Sequence, residues 1–290
     1  LIIATLMCAV FYDWKITSIY FLLSMSINIL NTCQEGLCTE QGLLRTVIFL
    51  VTMLFAILCG NLINRFILKF EEANRKSIDF VKSLILTFVE VIDEKDNYLK
   101  DHSKSVCRYT RKIAEKIFED EQLVEKLSLA ALLHDIGKLS VPDNILNKSG
   151  KLNEEEWIEI QKHSINGVRI IKEIPQLKFA EKYIQGYHHL YYDGTGYPNV
   201  NNKHEVPEEV GIILIADAYD AMTSNRPYRT ALSHEQAIAE IDKYSGIQFN
   251  PKYVSVLKSL NLDECSLIDE DVDINFTLLF SEEKGLFSLF

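Results

Sequence analysis

The sequence has few cysteines and little positive charge, and both shortages exclude classes of protein. Its six cysteines include no Cys-x-x-Cys pair, so a structural zinc site is not expected. Lys and Arg number 30 against 41 Asp and Glu, which gives a net charge of −11. Because nucleic-acid binding needs a basic surface, a nucleic-acid polymer is not expected as a partner. Convincing alternating strand patterns and internal repeats are also missing, so we predict an all-α fold.

Charge is also scarce in the first 63 residues, where three apolar runs cover residues 1–12, 16–30 and 46–63. The third run reaches the length that a membrane helix needs, about 20 residues. A buried core helix is the alternative, but three such runs in succession favour membrane insertion. A signal peptide fits poorly, because the charged start and the small-residue cleavage site are missing. The chain opens on Leu1 without a Met, which suggests a partial sequence with further membrane segments ahead of it.

The charges that flank the third run predict its orientation. Basic residues such as Arg65 and Lys69 follow it, whereas the loop 31–42 carries two Glu and no Lys or Arg. The positive-inside rule then predicts a multi-pass protein of the cytoplasmic membrane, with everything after the third run in the cytoplasm. The loop would face an oxidising side, where Cys33 and Cys38 could form a disulfide or remain two free thiols.

Four regions follow from these patterns: membrane segments over 1–63, a linker helix over 64–92, a helical domain over 93–261 and a tail over 262–290. The linker has recurring apolar residues, and such a helix usually pairs with a second copy in a parallel homodimer. Packing on the downstream domain is the alternative. Asn153 and Ser233 are predicted to cap helices over 157–171 and up to about residue 244. The tail combines acidic residues with short apolar stretches and suggests an acidic linker and a short apolar element.

Histidines are distributed unevenly along the chain. Five of the seven fall into one series with two aspartates: His102, His134, Asp135, His163, His188, His189 and Asp217. Each alone could be a structural or surface residue. Burying unpaired imidazoles and carboxylates is costly, however, and metal ligation removes that cost. Since His188 and His189 are adjacent and point in different directions, the series suits two metal ions better than one.

Five ordered motifs resemble those of the HD-GYP domain, a branch of the HD phosphohydrolase superfamily, over about residues 93–260. The motifs are Ala-Leu-Leu-His-Asp-Ile-Gly-Lys at 131–138, Pro-Asp-Asn-Ile-Leu-Asn-Lys at 142–148, His-His-Leu-Tyr-Tyr-Asp-Gly-Thr-Gly-Tyr-Pro at 188–198, Ile-Ala-Asp-Ala-Tyr-Asp-Ala-Met-Thr-Ser at 215–224 and Arg-Pro-Tyr-Arg at 226–229. The resemblance implies an HD-type helical domain that hydrolyses cyclic di-GMP, a bacterial second messenger, to pGpG and often on to GMP.

The resemblance also implies roles for individual residues. The seven residues of the His/Asp series match metal ligands, with Asp135 bridging two divalent ions, iron or manganese. Lys138 would act with Asp135 in catalysis by neutralising charge on a phosphate oxygen. Asp220 would support the metal ligands without binding a metal itself. Arg226 and Arg229 could grip the phosphodiester, although helix-surface charge is the alternative.

The turn at 194–198 is open to two interpretations. Gly194, Gly196 and Tyr197 could contact the substrate, or the turn could bind a partner domain such as a diguanylate cyclase. Pure turn geometry explains the two glycines equally well.

The sequence departs from the HD-GYP pattern at three single positions and in the segment 199–205, which lacks the usual Gly-Leu and is rich in Asn. Leu190 replaces a Glu directly after the paired histidines, which is expected to alter the support of the ligands more than metal binding itself. Tyr98 stands where members with three metals have Glu, so we predict two metals. Asn250 stands where Asp is usual. The apolar runs and the resemblance to the HD-GYP domain together predict a membrane-anchored cyclic di-GMP phosphodiesterase. The alternatives are another nucleotide or hybrid cyclic dinucleotide phosphohydrolase, or a catalytically weak receptor.

Overall fold

The computed structural model of the chain describes Ser26 and residues 40–96, 101–184, 187–198, 206–225, 230–260, 262 and 274–280. Within these ranges the regular elements are helices, and two isolated β-bridges join Leu190 to Gly196 and Ser245 to Phe249. This confirms the predicted all-α class. The helices are α1 (Glu40–Lys95), α2 (His102–Ile117), α3 (Glu121–Leu133), α4 (Asp143–Leu146), α5 (Glu154–Gln161), α6 (His163–Ile171), α7 (Glu181–Ile184), α8 (Val210–Thr223), α9 (His234–Lys243), α10 (Pro251–Ser259) and α11 (Phe276–Leu279). Three 3-10 segments cover Ile136–Ser140, Pro175–Ala180 and Tyr187–His189.

The chain divides into two compact units, and the first comprises residues 1–77 and 284–290. Its main described part, residues 40–77, belongs to α1. An 18-residue window of α1 has a mean hydropathy of 2.4 and is 6% buried, so α1 is long and apolar enough to cross a membrane. The first two apolar runs, apart from Ser26, and both Cys33 and Cys38 lie outside the described residues. The multi-pass arrangement and the disulfide therefore stay predictions.

The second unit, residues 78–283, is built around α3. Apolar residues occur on all sides of α3, and Leu127, Leu129 and Leu132 are fully enclosed. A helix that is apolar all round has to lie inside a domain, so α3 becomes the centre on which α2 and α8 pack. Because α3 ends at Leu133, its carboxyl end delivers the next residues into the interior.

The carboxyl-terminal part of α1 packs on this unit with one face. Val81, Ile85, Val89 and Ile92 are buried in the same core as α3. Phe80 and Leu84, by contrast, are 63% and 38% exposed. The alternative interpretation of the linker, packing on the downstream domain, therefore describes one face of this helix and leaves a second apolar face exposed.

Helix caps confirm two local predictions and correct one. Asn153 and Ser233 both form capping boxes, at the starts of α5 and α9. The single helix predicted over 157–171 is wrong, because α5 ends at Gln161 and α6 begins at His163. At this break the His163 Nδ1 lies 2.6 Å from the carbonyl oxygen of Ile160, a contact that turns the ring back along the chain.

Part of the tail folds back on the second unit. Ile274, Phe276 and Leu279 are buried, and α11 packs against α3. The backbone N–H of Asn275 donates to Glu125 of α3 over 3.0 Å. The compact unit thus extends past residue 261, and the boundaries drawn from the sequence stay predictions.

Candidate metal centre

The structure brings all seven residues of the predicted series into two neighbouring groups. One group is Asp135, His163, His188 and His189, and the other is His102, His134 and Asp217; within each, the potential ligand atoms lie within 4.8 Å of one another. The ends of helices supply most of them. His102 starts α2, His134 and Asp135 follow α3, and His163 starts α6. Histidines and carboxylates grouped in this way could hold metal ions.

Asp135 belongs to the first group but contacts both, with one carboxylate oxygen facing each group. Its Oδ1 is 3.4 Å from the Nε2 of His163. Its Oδ2 is 3.2 Å from the Nε2 of His134 and 4.0 Å from that of His102. A carboxylate in this position can serve ions in both groups, as the sequence resemblance implied.

Backbone carbonyl oxygens orient two of the histidine rings for metal ligation. The Nδ1 of His134 lies 2.7 Å from the carbonyl oxygen of Ala131, and the Nδ1 of His163 lies 2.6 Å from that of Ile160. A proton on each Nδ1 leaves each Nε2 as a lone pair that points inward, an orientation common in metal-binding histidines. The Nε2 of His134 is buried and makes no hydrogen bond. A divalent cation would satisfy this nitrogen, so the residues fit a metal site.

Electrostatics keep most of these ligand groups in the form that binds cations. Burial and the neighbouring histidines hold the pKa of His188 well below its usual range, and burial lowers that of His189 to about 4. Burial alone would raise the pKa of Asp135, but the charges of His134 and Lys138 hold it well below its usual range. At neutral pH His188 and His189 are therefore neutral and Asp135 is ionised. Burial would lower the pKa of His134, but the charge of Asp135 raises it.

His102 differs from the other histidines because two carboxylates hold it. Its Nδ1 is 2.6 Å from Asp220 Oδ2 and its Nε2 is 3.3 Å from Asp217 Oδ1. Burial would lower the pKa of His102, but hydrogen bonds and charge from these two carboxylates raise it to about 10. Asp220 thus lies where the sequence predicted a supporting residue, and it fixes the orientation of the ring.

Lys138 reaches the centre from the 3-10 segment that follows Asp135. Its Nζ is 2.8 Å from Asp135 Oδ2 and 2.9 Å from Asp96 Oδ2. Burial would lower the pKa of Lys138, but these two carboxylates raise it, so the ammonium keeps its charge. Asp96 had no role in the sequence analysis. The one available signal was its place in the charged stretch just before His102.

Gly137 was also missed, and the structure shows why glycine is required there. A Cβ at this position would lie 1.7 Å from the carbonyl oxygen of His163 and 2.5 Å from the backbone nitrogen of Gly167. The segment that carries Asp135 and Lys138 therefore packs backbone against backbone on α6. This close approach keeps His163 beside Asp135.

The Gly-rich turn is fastened to the paired histidines. Gly194 and Gly196 have φ values of 93° and 92°, which favour glycine. A Cβ on Gly196 would lie 2.3 Å from the carbonyl oxygen of His189. The Tyr197 ring stacks near that of His189, with centroids 4.5 Å apart. Turn geometry thus accounts for both glycines, while Tyr197 borders the centre.

The remaining predicted positions lie at or beyond the edge of the described structure. Arg226, Arg229 and Tyr98 are outside the described residues, so their roles stay predictions. Leu190 is buried, and Asn250 caps α10 while its Nδ2 donates to Glu208 over 2.8 Å. Neither Leu190 nor Asn250 belongs to the two groups of potential ligands.

Comparison with known proteins places these features in a family. The family model described as "HD domain" matches residues 87–253. A 3'3'-cGAMP-specific phosphodiesterase 3 from Vibrio cholerae is 35% identical over 63% of this chain and 40% of its own length. A cyclic di-GMP phosphodiesterase from Thermotoga maritima is 33% identical over 71% of this chain and 57% of its own length. Another, from Pseudomonas aeruginosa, is 36% identical over 54% of this chain and 38% of its own length.

The chain therefore spans between 38 and 57% of the length of these three relatives. The family match covers more than half of the chain and includes every residue of the two His/Asp groups. It also includes the segment from Asp135 to Lys138. With the helical fold and these groups in place, the resemblance seen in the sequence is confirmed: the chain belongs to the HD domain family.

Proposed function

We propose that this protein is a metal-dependent phosphodiesterase that hydrolyses cyclic di-GMP to pGpG, GMP or both. The observation that carries the proposal is the pair of His/Asp groups that meet at Asp135, with the charged Lys138 beside them. Relatives named as cyclic di-GMP phosphodiesterases support the substrate class.

Two divalent ions, iron or manganese, would be held by the seven residues of the two groups. When bound, such ions stabilise the charge that develops on the attacking and leaving oxygens of a displacement at phosphorus. Mixed nitrogen and oxygen ligation suits either metal. The residues of the chain have their own tasks around these ions. Asp135 holds both groups together, and Asp220 fixes the ring of His102.

Lys138 is the residue proposed to act on the substrate directly. Its ammonium is held by two carboxylates and stays protonated, so it can neutralise charge on a non-bridging phosphate oxygen without reorganising. Tyr197 borders the centre beside His189 and would contact the substrate there. Arg226 and Arg229 are proposed to hold the second phosphate through bidentate hydrogen bonds.

The same residues would serve a hybrid cyclic dinucleotide equally well. A relative named as specific for 3'3'-cGAMP favours this second candidate substrate. A catalytically weak receptor is the remaining alternative, and Leu190 in place of the family's Glu is the feature that favours it. Turnover separates the enzyme from the receptor, and the substrate profile separates the two dinucleotides.

Membrane anchoring and dimer formation are part of the proposal. α1 would cross the bacterial cytoplasmic membrane and leave the metal centre in the cytoplasm. The exposed apolar face of α1, which includes Phe80 and Leu84, would pair with a second copy of the chain. Gly194, Thr195 and Gly196 are exposed, and the turn at 194–198 would be available to a partner domain such as a diguanylate cyclase.

The test uses the full chain, purified anaerobically with manganese or iron, and follows cyclic di-GMP and 3'3'-cGAMP by chromatography. Asp135→Asn removes the shared carboxylate, while Asp242→Asn removes an exposed carboxylate that pairs with Lys258 and serves as control. We expect turnover in the parent and in Asp242→Asn, and its loss in Asp135→Asn. Stoichiometric metal without turnover of either dinucleotide would contradict the enzyme and support the receptor.

A further inference from the structure

The carboxyl-terminal end of α1 is built into the metal centre. The Lys95 Nζ donates to the carbonyl oxygens of Lys138, Leu139 and Val141, over 3.2, 2.9 and 2.7 Å. Three carbonyl oxygens on one ammonium fix the backbone of the 3-10 segment that carries Lys138. In return, the Asn147 side chain donates to the carbonyl oxygen of Lys95 over 2.9 Å. This end of the helix is therefore held by hydrogen bonds that Lys95 both donates and accepts.

Asp96 follows directly and reaches the ammonium of Lys138. Its backbone N–H donates to the carbonyl oxygen of Ile92 over 2.9 Å, which continues the helical bonding by one residue. Its side chain is buried, and its Oδ2 lies 2.9 Å from the Lys138 Nζ. On the other side of the same ammonium, Asp135 Oδ2 lies at 2.8 Å. Lys138 is thus shared between one carboxylate of the metal centre and one carboxylate directly after α1.

This sharing matters because Asp135 Oδ2 also faces His134 and His102. If the Lys138 ammonium were paired with Asp135 alone, its full positive charge would act on Asp135 Oδ2, the oxygen that a cation needs. A second carboxylate draws the ammonium away and compensates its buried charge. Removing only one of two buried partners leaves the other interaction unbalanced, so the effect would reach the metal centre.

We propose that Asp96 is a positioning residue, which holds Lys138 so that its ammonium can meet the substrate while Asp135 Oδ2 remains available to a cation. The expected effect of Asp96 on turnover rests on the proposed function, whereas its expected effect on metal affinity does not. It also makes the end of the long helix, which carries no predicted ligand, a part of the centre. A shift of this helix end would move Lys138 directly.

The test compares Asp96→Asn with Asp96→Glu and with Glu94→Gln, an exposed acid on the same turn of α1. Titration of the metal-free full chain with Mn²⁺ measures affinity independently of turnover. We expect Asp96→Asn to weaken Mn²⁺ binding about tenfold and to lower kcat about 10- to 100-fold with little change in KM. Asp96→Glu should recover part of both losses, and Glu94→Gln should match the parent. Unchanged Mn²⁺ affinity and kcat in a folded Asp96→Asn protein would overturn the proposal.

A second comparison separates positioning from general stability. If Asp96 acts through Lys138, then Asp96→Asn should cause no further loss of Mn²⁺ affinity or kcat in a protein that already carries Lys138→Met. Additive losses in the double variant would refute the inference. If the parent binds Mn²⁺ but hydrolyses no dinucleotide, the proposed function fails, and the affinity measurements alone still decide the role of Asp96.

Discussion

Replacing Gly137 with alanine tests the idea that the centre depends on backbone contact between two segments. The new Cβ would lie 1.7 Å from the carbonyl oxygen of His163. Non-bonded carbon atoms normally stay about 3.5–4.0 Å apart, so the two backbones have to separate by more than about 1.5 Å. The carbonyl belongs to His163 itself, so its imidazole would retreat from Asp135 together with the backbone.

The expected cost of this overpacking is about 1–3 kcal/mol of folding free energy, which corresponds to about 2–12 °C in Tm for a domain of this size. A displacement of this size in a catalytic group costs about 100-fold in turnover. Thermal unfolding, metal content and hydrolysis of cyclic di-GMP measure the three effects. Gly150→Ala is the matched control, because its Cβ would meet nothing within 4 Å. If Gly137→Ala retained the Tm, metal content and turnover of Gly150→Ala, the close packing would have no role in the centre.

Three further predictions follow from the centre and its surroundings. The pKa of His102 is raised to about 10, so the metal-free protein carries a proton there at pH 7, and a bound cation must displace it. Mn²⁺ affinity should thus rise with pH up to about 10. Calorimetry at pH 7 in buffers of different ionisation enthalpy should detect at least one released proton, of which His189, whose pKa is about 4, should contribute none. Binding heats that do not depend on the buffer would contradict this prediction. Phe276→Ala should lower the free energy of unfolding by about 3 kcal/mol in urea while the exposed Thr277→Ala changes it little, and equal midpoints would contradict the docking of α11. Asn153→Ala should cost about 1 kcal/mol through the lost helix cap without changing turnover, and a large loss of turnover would indicate that α5 has a further role.

The sequence was enough to predict which side chains meet, because their chemistry is expensive to bury separately. His134 and Asp135 follow an apolar helix that has to lie inside the domain, and Asp217 sits in another apolar helix. Only a shared partner makes several such groups tolerable in one interior. The capping boxes at Asn153 and Ser233 were equally predictable, since a cap depends on residues only three apart in the chain.

Features that depend on contacts between distant segments were not predictable in this way. Gly137 looks like an ordinary glycine until α6 is seen against it, and Asp96 looks like one charge among several until Lys138 lies beside it. The break at Lys162 was missed for a different reason. The apolar pattern continues through it, and the contact between the His163 Nδ1 and the Ile160 carbonyl oxygen at the break depends on the folded arrangement.

The returning segment 274–280 has a consequence for the order in which the protein folds. Glu125 receives the N–H of Asn275 from 150 positions further along the chain, and His102 is paired with Asp220 from 118 positions away. Contacts between such distant residues close slowly, because a long loop must first lose its freedom. A ribosome delivers the chain from its amino end at about 5–20 residues per second, so Asn275 is synthesised about 8–30 seconds after Glu125 of α3. During synthesis the apolar surface under Phe276 stays uncovered until the last residues of this segment have emerged.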